Sequence, residues 1–378
     1  MRKTHASLPF LLLVFLTPAA KAEEKQADTP TPPPAPATPP PIELSGSLDV
    51  YSGYNFNSTA SGINEMRAFD TQDGGFALNY AELVIARNRG PVGFRLDAGF
   101  GSASDALYLA DPSSKTDSSN ARWLSHLQQA YVEAKLPHNV TIDGGKFVTM
   151  HGFEVIETKD NWNYSRSLLF SWAIPFLHTG FRATWAPKDE VSVGAAWVNG
   201  WNSTIEDGSK MQTGCIMAMY KPRPTVQLIL NYMFGEDHLP AQPPAPLTLR
   251  NLVDATATWT PTDKLSFALN GDYGHDAAMN GVDWEGLAGY ARYQIKPYAA
   301  TAARFEYLAD GDGFMTGKSQ HLVEGTLTGE LSGAIAKTAV LLRLEYRHDH
   351  SDSMVFDASM PTSKQDQDTF LVGAVAAF

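Results

Sequence analysis

The sequence predicts an all-β protein, a transmembrane antiparallel up-and-down β-barrel of about 16 strands. Three observations lead to this prediction. The chain begins with the pattern of a secretory leader, and no later apolar run is long enough for a transmembrane helix. From Ile42 onward it consists of short alternating segments, and their connections alternate between short and long. Such alternation of tight turns and longer loops is typical of barrels that cross a membrane.

Composition narrows the classes of function. The chain has 378 residues, a net charge of −12 and one cysteine, Cys215. An acidic protein is a poor match for nucleic acid, whose phosphates need a basic surface. One cysteine excludes an internal disulfide framework and a cysteine-based zinc site. The sequence has no Walker or dinucleotide-binding glycine pattern and no G-x-S-x-G elbow, so we predict no cofactor and no enzymatic activity.

The N-terminus has the three parts of a signal peptide. Arg2 and Lys3 are the basic start, Leu8–Leu16 is the apolar core, and Ala20-Lys21-Ala22 provides the small residues of a cleavage site. We therefore predict a signal peptide over residues 1–22, cleaved near Ala22.

Residues 23–41 are rich in proline and cannot bury a core. They predict an extended periplasmic linker in the polyproline II conformation. A plain spacer is the simplest interpretation, and contact with peptidoglycan or a partner is the alternative. The barrel domain then covers residues 42–378.

The alternating segments predict sixteen strands, most of them close to the ~9–11 residues that a tilted strand needs to cross a bilayer. They are Ile42–Tyr54, Phe76–Asn88, Val92–Gly101, His126–Leu136, Val140–Phe147, Phe176–Ala186, Val191–Asn199, Gln212–Tyr220, Thr225–Phe234, Asn251–Thr260, Lys264–Tyr273, Asp283–Ile295, Tyr298–Ala309, His321–Leu331, Thr338–His348 and Asp368–Phe378.

The two faces of most strands differ in polarity. In Thr338–His348, for example, Leu342 and Leu344 lie on one face, and Arg343 and Glu345 lie on the other. Period two with charge on one face means that one side meets apolar material and the other meets water. The segments Phe76–Asn88 and Asp283–Ile295 alternate poorly, so their facing stays open.

Long polar connections alternate with short turns along the chain, and each long connection follows an odd-numbered strand. They are Asn55–Gly75, Ser102–Ser125, Val148–Pro175, Gly200–Met211, Gly235–Arg250, Gly274–Val282, Asp310–Gln320 and Asp349–Gln367. The pattern makes these the external loops and places both chain ends in the periplasm. Aromatic residues recur near strand ends on the apolar face, as in interfacial girdles: Tyr54, Phe100, Trp185, Trp197, Tyr220, Phe234, Trp259 and Tyr346.

The last strand ends in phenylalanine. Phe370, Val372, Ala374, Ala376 and Phe378 share one face. This ending resembles the assembly signal of bacterial outer-membrane barrels, which implies the barrel assembly machinery as a partner through Phe378. The last strand of a soluble sheet is the alternative.

Charged residues opposite the apolar faces are candidates for the barrel interior, where a charge costs little. On the lipid face at midplane, an arginine or lysine costs ~2–4 kcal/mol. The interior candidates are Arg95, Asp97, Arg182, Arg304, Glu306, Arg343, Glu345 and Arg347.

Several stretches resemble one known family. They include GGFALNYAELVIAR, GPVGFRLDAGFG, HLQQAYVEAKLP, HGFEVIETKDNWNYSRSLLFSWAIPFLHTGFRATW and FLVGAVAAF. Together they resemble the OmpL-like outer-membrane β-barrel porins of Gram-negative bacteria over nearly all of Ile42–Phe378. The resemblance implies an outer-membrane channel for small solutes, but it brings no substrate and no set of binding residues.

By analogy with general porins, the third external loop folds into the bore and faces a basic wall. The loop residues Glu154, Glu157, Asp160 and Arg166 would then form a constriction with the interior arginines. A solvated charge network without a selective role is the alternative. The same analogy raises a homotrimer, which nothing in the sequence fixes.

The leading hypothesis is a passive channel for small hydrophilic solutes or ions in the outer membrane, in contact with its lipid. A substrate-selective channel is the runner-up, with Trp162, Tyr164 and Trp172 stacking on sugars or amino acids. A barrel enzyme and a plugged adhesive barrel are less favoured. Asp310-Gly311-Asp312-Gly313 and His348-Asp349-His350 with Asp352 are weak metal patterns that loop residues explain better, so we predict no metal site.

Overall fold

The chain forms a closed barrel of sixteen antiparallel strands in this computed structural model. The structure describes residues 41–88, 90–112, 114, 124, 126–205, 211–238, 247–359 and 363–378. Each strand pairs with the next along the chain, and the first pairs with the last. The predicted up-and-down barrel is thereby confirmed. The predicted signal peptide and all but the last residue of the predicted linker lie outside the described residues.

The strands in chain order are β1 Glu43–Asn55, β2 Ala77–Arg87, β3 Val92–Phe100, β4 Leu127–Leu136, β5 Val140–Val148, β6 Leu177–Lys188, β7 Val191–Val198, β8 Thr213–Arg223, β9 Val226–His238, β10 Leu247–Thr262, β11 Leu265–Asp276, β12 Val282–Lys296, β13 Ala299–Asp310, β14 Gln320–Ile335, β15 Thr338–Ser351 and β16 Asp366–Ala377. Short helical segments occur in the connections: helix α1 Ser102–Ala110, the 3₁₀ turns Pro137–Asn139, Thr158–Asp160 and Ala278–Asn280, and a π-helical turn Leu169–Ala173. None of the described helices has the length and hydropathy of a membrane-spanning segment.

The barrel closes where β1 meets β16. The ladder runs from Ser47 opposite Ala377 to Asn55 opposite Thr369. Beyond it, the backbone N–H groups of Gly46 and Phe378 each donate to the other residue's carbonyl, at 3.2 and 3.1 Å. A Cβ at Gly46 would lie 2.5 Å from a carbonyl oxygen of β2 and 3.1 Å from the Phe378 ring, so the closure requires glycine here.

Side chains alternate between the interior and the outer surface, as period two requires. On β15, Leu342 and Leu344 are exposed on the outside, whereas Arg343, Glu345 and Arg347 are buried inside. All eight predicted girdle aromatics face outward, with exposures between 37% and 59%. The outer surface is therefore apolar with aromatic borders, which suits contact with lipid.

The two strands with poor alternation have separate explanations. On β12, Trp284 and Tyr290 face inward and are buried, while Leu287 faces outward, so apolar side chains occupy both faces. On β2, a bulge shifts the register where Asp49 and Val50 of β1 pair with β2. Two consecutive β2 residues, Asn79 and Tyr80, are buried there.

Several predicted strand ends were wrong by up to four residues. Strand β9 continues to His238 rather than Phe234, and β10 begins at Leu247 rather than Asn251. These extensions pair with one another, Leu247 opposite His238. The ladder persists past the apolar segment because backbone hydrogen bonding does not depend on hydrophobicity. The predicted loop Ser102–Ser125 contains helix α1, whose Ala103 and Leu107 are buried.

Candidate functional site

Loop 3, residues 149–176, connects β5 to β6 and contacts inward-facing side chains of several strands. It contains the 3₁₀ turn Thr158–Asp160 and the π-helical turn Leu169–Ala173. Most of its side chains are buried, including Leu168 and Leu169. A segment with so little regular structure must find other partners for its buried backbone groups.

Carboxylates on the strands accept hydrogen bonds from the loop backbone. Glu306 of β13 accepts from the N–H groups of Leu168 and Leu169, at 2.7 and 3.3 Å. Glu345 of β15 accepts from those of Tyr164 and Ser165, at 2.5 and 2.8 Å. Both carboxylates therefore accept hydrogen bonds from backbone N–H groups of loop 3 and attach it to the wall.

Arginines on the same strands donate to the loop's carbonyl oxygens. Arg343 binds those of Thr158 (2.7 Å), Asn161 (2.6 Å) and Asn163 (3.1 Å), Arg304 binds those of Ser165 (2.8 Å) and Arg166 (3.3 Å), and Arg347 binds that of Arg166 (2.6 Å). The side chains of these three arginines are at most 2% exposed. Three of the predicted interior arginines are thus occupied in holding the loop.

One predicted loop acid forms an ion pair with one predicted interior arginine. Glu154 Oε1 lies 2.8 Å from Arg304 Nη1, and both side chains are at most 2% exposed. Arg304 also contacts Glu324 at 3.0 Å and Glu306 at 3.5 Å. Glu154 accepts a further bond from the N–H of Ser167 at 2.6 Å. The pair is in direct contact, with no aqueous gap between its members.

Further hydrogen bonds attach loop 3 to other strands. Asp254 of β10 accepts from the N–H of Gly152 at 3.0 Å, and Trp284 Nε1 of β12 donates to the Ala173 carbonyl at 3.0 Å. At the other side, the Tyr164 hydroxyl donates to Asp49 of β1 at 2.6 Å. The contacts therefore extend from β10 through β15 to β1, which is a continuous part of the barrel wall.

A glycine in the barrel wall leaves space for the Tyr164 ring. A Cβ at Gly373 of β16 would lie 2.2 Å from the Tyr164 ring, so only glycine leaves room for it. The Tyr51 ring packs against Tyr164 with ring centroids 5.8 Å apart. Tyr164 is consequently 1% exposed.

Arg166, a predicted constriction residue, binds the backbone of its own loop. Its Nε donates to the Val155 carbonyl at 2.9 Å, and its terminal nitrogens donate to the carbonyls of Tyr164 and Ile156. Its guanidinium also lies 5.2 Å from the centre of the Phe69 ring. The residue stabilises the loop's conformation and is buried.

All three candidate stacking rings are at least partly buried. Trp162 is buried and meets Phe153 edge to face, with ring centroids 5.1 Å apart, and Tyr164 is buried between the loop and the barrel wall. Trp172 is partly buried against the apolar cluster that contains Trp162, whereas Tyr164 belongs to a smaller cluster with Tyr51. In this arrangement Trp162 and Tyr164 have no free ring face for a solute, so stacking would require loop 3 to move.

Loop 1, the connection between β1 and β2, also enters the barrel mouth, which the sequence did not predict. Phe69 is 1% exposed and packs against Phe170 and Phe176 of loop 3, with ring centroids 5.9 and 6.0 Å apart. Arg67 donates to Asp349 of β15 at 2.8 Å. The available signal was the short stretch Met66–Phe69, which combines apolar residues with an arginine in a mostly polar loop.

Loop 4, between β7 and β8, and loop 7, between β13 and β14, also contribute side chains at the barrel mouth. Trp201 of loop 4 meets Trp284 at 5.9 Å, and Phe314 of loop 7 stacks on Trp284 at 5.7 Å. The Arg250 guanidinium lies 5.1 Å from both the Trp201 and the Phe314 ring. An apolar cluster thus occupies the interior at the loop end of the barrel.

A cavity of about 80 Å³ remains between loop 3 and the wall formed by β3 and β4. Its polar lining residues are Arg95, Gln129, Thr149, Glu154, Glu157, Lys159 and Asp160, and its apolar ones are Val148, Val155, Ile156, Phe170 and Phe176. The side chains of Arg95 and Lys159 are 20% and 27% exposed, unlike the arginines that hold loop 3. The predicted residue Arg182 lies nearby on β6, is 22% exposed and binds Asp143 at 2.7 Å.

Neighbouring groups shift the ionisation of the loop residues. Burial lowers the pKa of Lys159, but the Glu157 and Asp160 carboxylates outweigh this effect and raise it. Burial raises the pKa of Asp160, against the opposing effect of Lys159. Burial, together with His178, lowers the pKa of His151 to about 3. His151 is therefore neutral at physiological pH.

The weak metal patterns have other roles. Asp310 accepts hydrogen bonds from the N–H groups of Phe314 and Thr316, at 2.9 and 2.7 Å, and so shapes loop 7. Along β15, His348 and His350 lie on the outer side, whereas Asp349 points inward to Arg67. Among the described residues, no group of three or more metal-ligating side chains converges.

Comparisons with known proteins come from sequence and structure. The family model described as "Putative beta-barrel porin-2, OmpL-like" matches residues 41–378. No curated protein matches the chain.

Three solved structures share the fold. The outer-membrane channel DcaP of Acinetobacter baumannii has a TM-score of 0.60 at 9% identity, covering 89% of this chain and 97% of its own. The anion-selective porin of Comamonas acidovorans has 0.59 at 11% identity, covering 89% and 99%. The trimer form of OmpT of Vibrio cholerae has 0.58 at 11% identity, also covering 89% and 99%. At these identities the likeness concerns the fold alone.

Proposed function

The chain belongs to the OmpL-like β-barrel porin family, and we propose that it forms a narrow outer-membrane channel for the passive diffusion of small hydrophilic solutes or ions. A barrel of sixteen strands is wide enough for an aqueous bore. The observation that carries the proposal is the uneven filling of that bore. Loop 3 is bound to one part of the wall, and the cavity with partly exposed charges lies at the other, beside Arg95 and Lys159.

In the proposed channel, loop 3 narrows the bore from the side of β10 to β15 and β1. The predicted constriction residues then divide into two groups. Glu154, Arg166, Arg304, Arg343 and Arg347 fix the loop, and their charges are satisfied by protein groups. We propose that the second group faces the solute: Arg95, Glu157 and Asp160, which line the cavity, and Arg182 on β6.

A substrate-selective channel is the second candidate, and the small volume of the cavity favours it. The cavity of about 80 Å³ has both charged and apolar lining residues, so passage through it would depend on the fit and charge of the solute. Both candidates are channels, and we propose a channel in preference to a barrel enzyme or an adhesive barrel.

The proposed location is the outer membrane of a Gram-negative bacterium. The apolar outer face with its aromatic borders supports contact with outer-membrane lipid. We further propose cleavage near Ala22, a spacer role for residues 23–41, recognition of Phe378 by the barrel assembly machinery, and a homotrimer as in the trimer form of OmpT of Vibrio cholerae.

The test is the single-channel conductance of the refolded Glu23–Phe378 protein in a planar bilayer, with and without a salt gradient. Steady steps smaller than those of a wide general porin would support a narrowed pore. The reversal potential would report the charge that dominates the path. Silence from a protein whose circular dichroism shows folded β structure would overturn the proposal and favour a plugged, adhesive or enzymatic barrel.

A further inference from the structure

The interior arginines of the barrel differ in how fully their donors are used. Arg304, Arg343 and Arg347 each bind acceptors through both terminal nitrogens. Arg95 uses only Nε, which donates to both carboxylate oxygens of Asp97 at 2.9 Å. None of the described residues accepts a hydrogen bond from its Nη1 or Nη2. Arg95 therefore presents an unfilled guanidinium edge in the cavity beside loop 3.

The acids around the same cavity differ in a corresponding way. Glu154 is paired with Arg304 at 2.8 Å, and Asp160 with Lys159 at 2.7 Å. The carboxylate of Glu157 has one hydrogen bond, which its Oε1 accepts from Gln128 Nε2 at 2.9 Å. Within the described part of the chain, no basic nitrogen lies within the 4 Å of an ion pair from Glu157. It is the one acid of the cavity lining without a cationic partner in contact.

Arg95 and Glu157 stand on different elements, β3 and loop 3, and both line the cavity. They form no ion pair with each other, so the cavity lies between the free terminal nitrogens of Arg95 and a carboxylate that has no cation in direct contact. Lys159, whose pKa Glu157 raises, lies beyond ion-pair distance from it. Val148, Ile156 and Phe176 give the cavity an apolar part. A volume of about 80 Å³ holds ~five to eight water-sized groups, which is the size of a small α-amino acid.

We propose that this cavity is a binding site for small zwitterionic amino acids with an apolar side chain, such as valine, on their way through the channel. The solute's carboxylate binds the terminal nitrogens of Arg95 in a bidentate manner. Its ammonium binds Glu157, and its side chain lies against Val148, Ile156 and Phe176. The inference rests on the proposed channel function, and it names the solute class for which the narrow path is built.

A solute with only one of the two charges would leave the other protein charge without a partner in a partly desolvated site. This penalty discriminates against simple anions and simple cations. It also discriminates against neutral sugars of similar size, which cannot form either charged contact.

The test measures block of the KCl current of the refolded protein by added L-valine. Two solutes with the same skeleton each remove one charged group: 3-methylbutanoate lacks the ammonium, and 2-methylpropylamine lacks the carboxylate. We expect saturable block by valine, with a half-blocking concentration about tenfold lower than for either analogue. L-Arabinose serves as the neutral control.

Two variants test the two contacts separately. Arg95→Gln and Glu157→Gln should each raise the half-blocking concentration of valine about tenfold. Arg292→Gln is the matched control, because Arg292 faces the interior of β12 with an almost equal exposure of 19% and binds Glu330 and Gln294 away from the cavity. Its block by valine should match that of the wild type.

The outcomes separate this inference from the proposed function. A folded protein without KCl current would overturn the channel itself. A KCl current that valine does not block would overturn only the amino-acid site. Equal block by valine and 3-methylbutanoate would reduce the site to an anion site at Arg95, and equal block by the amine would reduce it to a cation site at Glu157. Either result would overturn the zwitterion assignment.

Discussion

The substitution Glu345→Gln tests whether the strand carboxylates hold loop 3 in place. Glu345 accepts three hydrogen bonds, from the N–H groups of Tyr164 (2.5 Å) and Ser165 (2.8 Å) and from the Thr328 hydroxyl (2.7 Å). Glutamine has nearly the same size, but its amide group turns a donor toward one of these donors. The change therefore removes one bond and weakens the others without creating a cavity.

The magnitude follows from the number of bonds. A hydrogen bond to a charged group contributes ~1.5–3 kcal/mol, so the loss in docking free energy is about 3 kcal/mol, or about 100-fold in the population of released loop. The released loop would expose Lys159 and Arg166 to trypsin. We expect faster cleavage in loop 3 and a larger, noisier single-channel conductance.

The control is Glu285→Gln, because Glu285 lies exposed on the outer face of β12 and its change should leave loop 3 docked. Cleavage would be located by mass spectrometry of the fragments, and folding checked by circular dichroism. If Glu345→Gln resists trypsin and conducts as the wild type does, the Glu345 carboxylate does not anchor loop 3, and the proposed role of the strand carboxylates is refuted.

Three further predictions concern other parts of the molecule. Gly373→Ala should lower the unfolding temperature, at a cost of ~1–3 kcal/mol, because its methyl group would overlap the Tyr164 ring; Gly325→Ala, where nothing lies within 4 Å of the added carbon, should have little effect, and equal effects would contradict the fit. Acid should release loop 3, because the pKa of His151 is about 3 when docked and ~6.5 when released, so docking is fully stable above pH ~6.5 and weakens as the pH falls toward 3. Conductance at pH 4 should then exceed that at pH 7 in the wild type, and His151→Gln should reduce the difference; an unchanged pH response would exclude this histidine as the cause. Phe378→Ala should reduce the amount of assembled barrel in cells while leaving refolding in detergent intact, because the ring is exposed at 64%; a parallel loss of refolding would point to a structural role instead.

The strand order and the facing of most strands could be predicted because both depend on local patterns. The alternation of Leu342, Arg343, Leu344 and Glu345 places the charges inside whatever the rest of the chain does. The same rule failed on β12, because Trp284 faces an interior that is apolar where loop 3 and loop 7 pack against it. Polarity patterns therefore identify the interior face of a strand only where that face borders a polar, water-filled interior.

The candidate site was predictable in composition but not in geometry. Arg304 and Arg343 could be assigned to the interior from strand period. Their binding to loop carbonyls could not be predicted, because it depends on the path of loop 3, which follows no period. The role of Phe69 was missed for the same reason: one of a few apolar residues scattered in a mostly polar loop gives no indication of which segment it meets.

The way in which loop 3 is held has a consequence for biogenesis. Arg343 binds carbonyls of residues that precede it by 180 to 185 positions, so loop 3 leaves the synthetic machinery long before its partners exist. Contacts this distant in sequence form late and slow the search for the native state. The loop's backbone therefore lacks these hydrogen-bond partners until β13 to β15 have assembled around it. During insertion the barrel wall therefore assembles around a loop that was synthesised earlier. A chain truncated before β15 would lack the β1–β16 closure and the contacts of Arg343, Glu345 and Arg347 with loop 3.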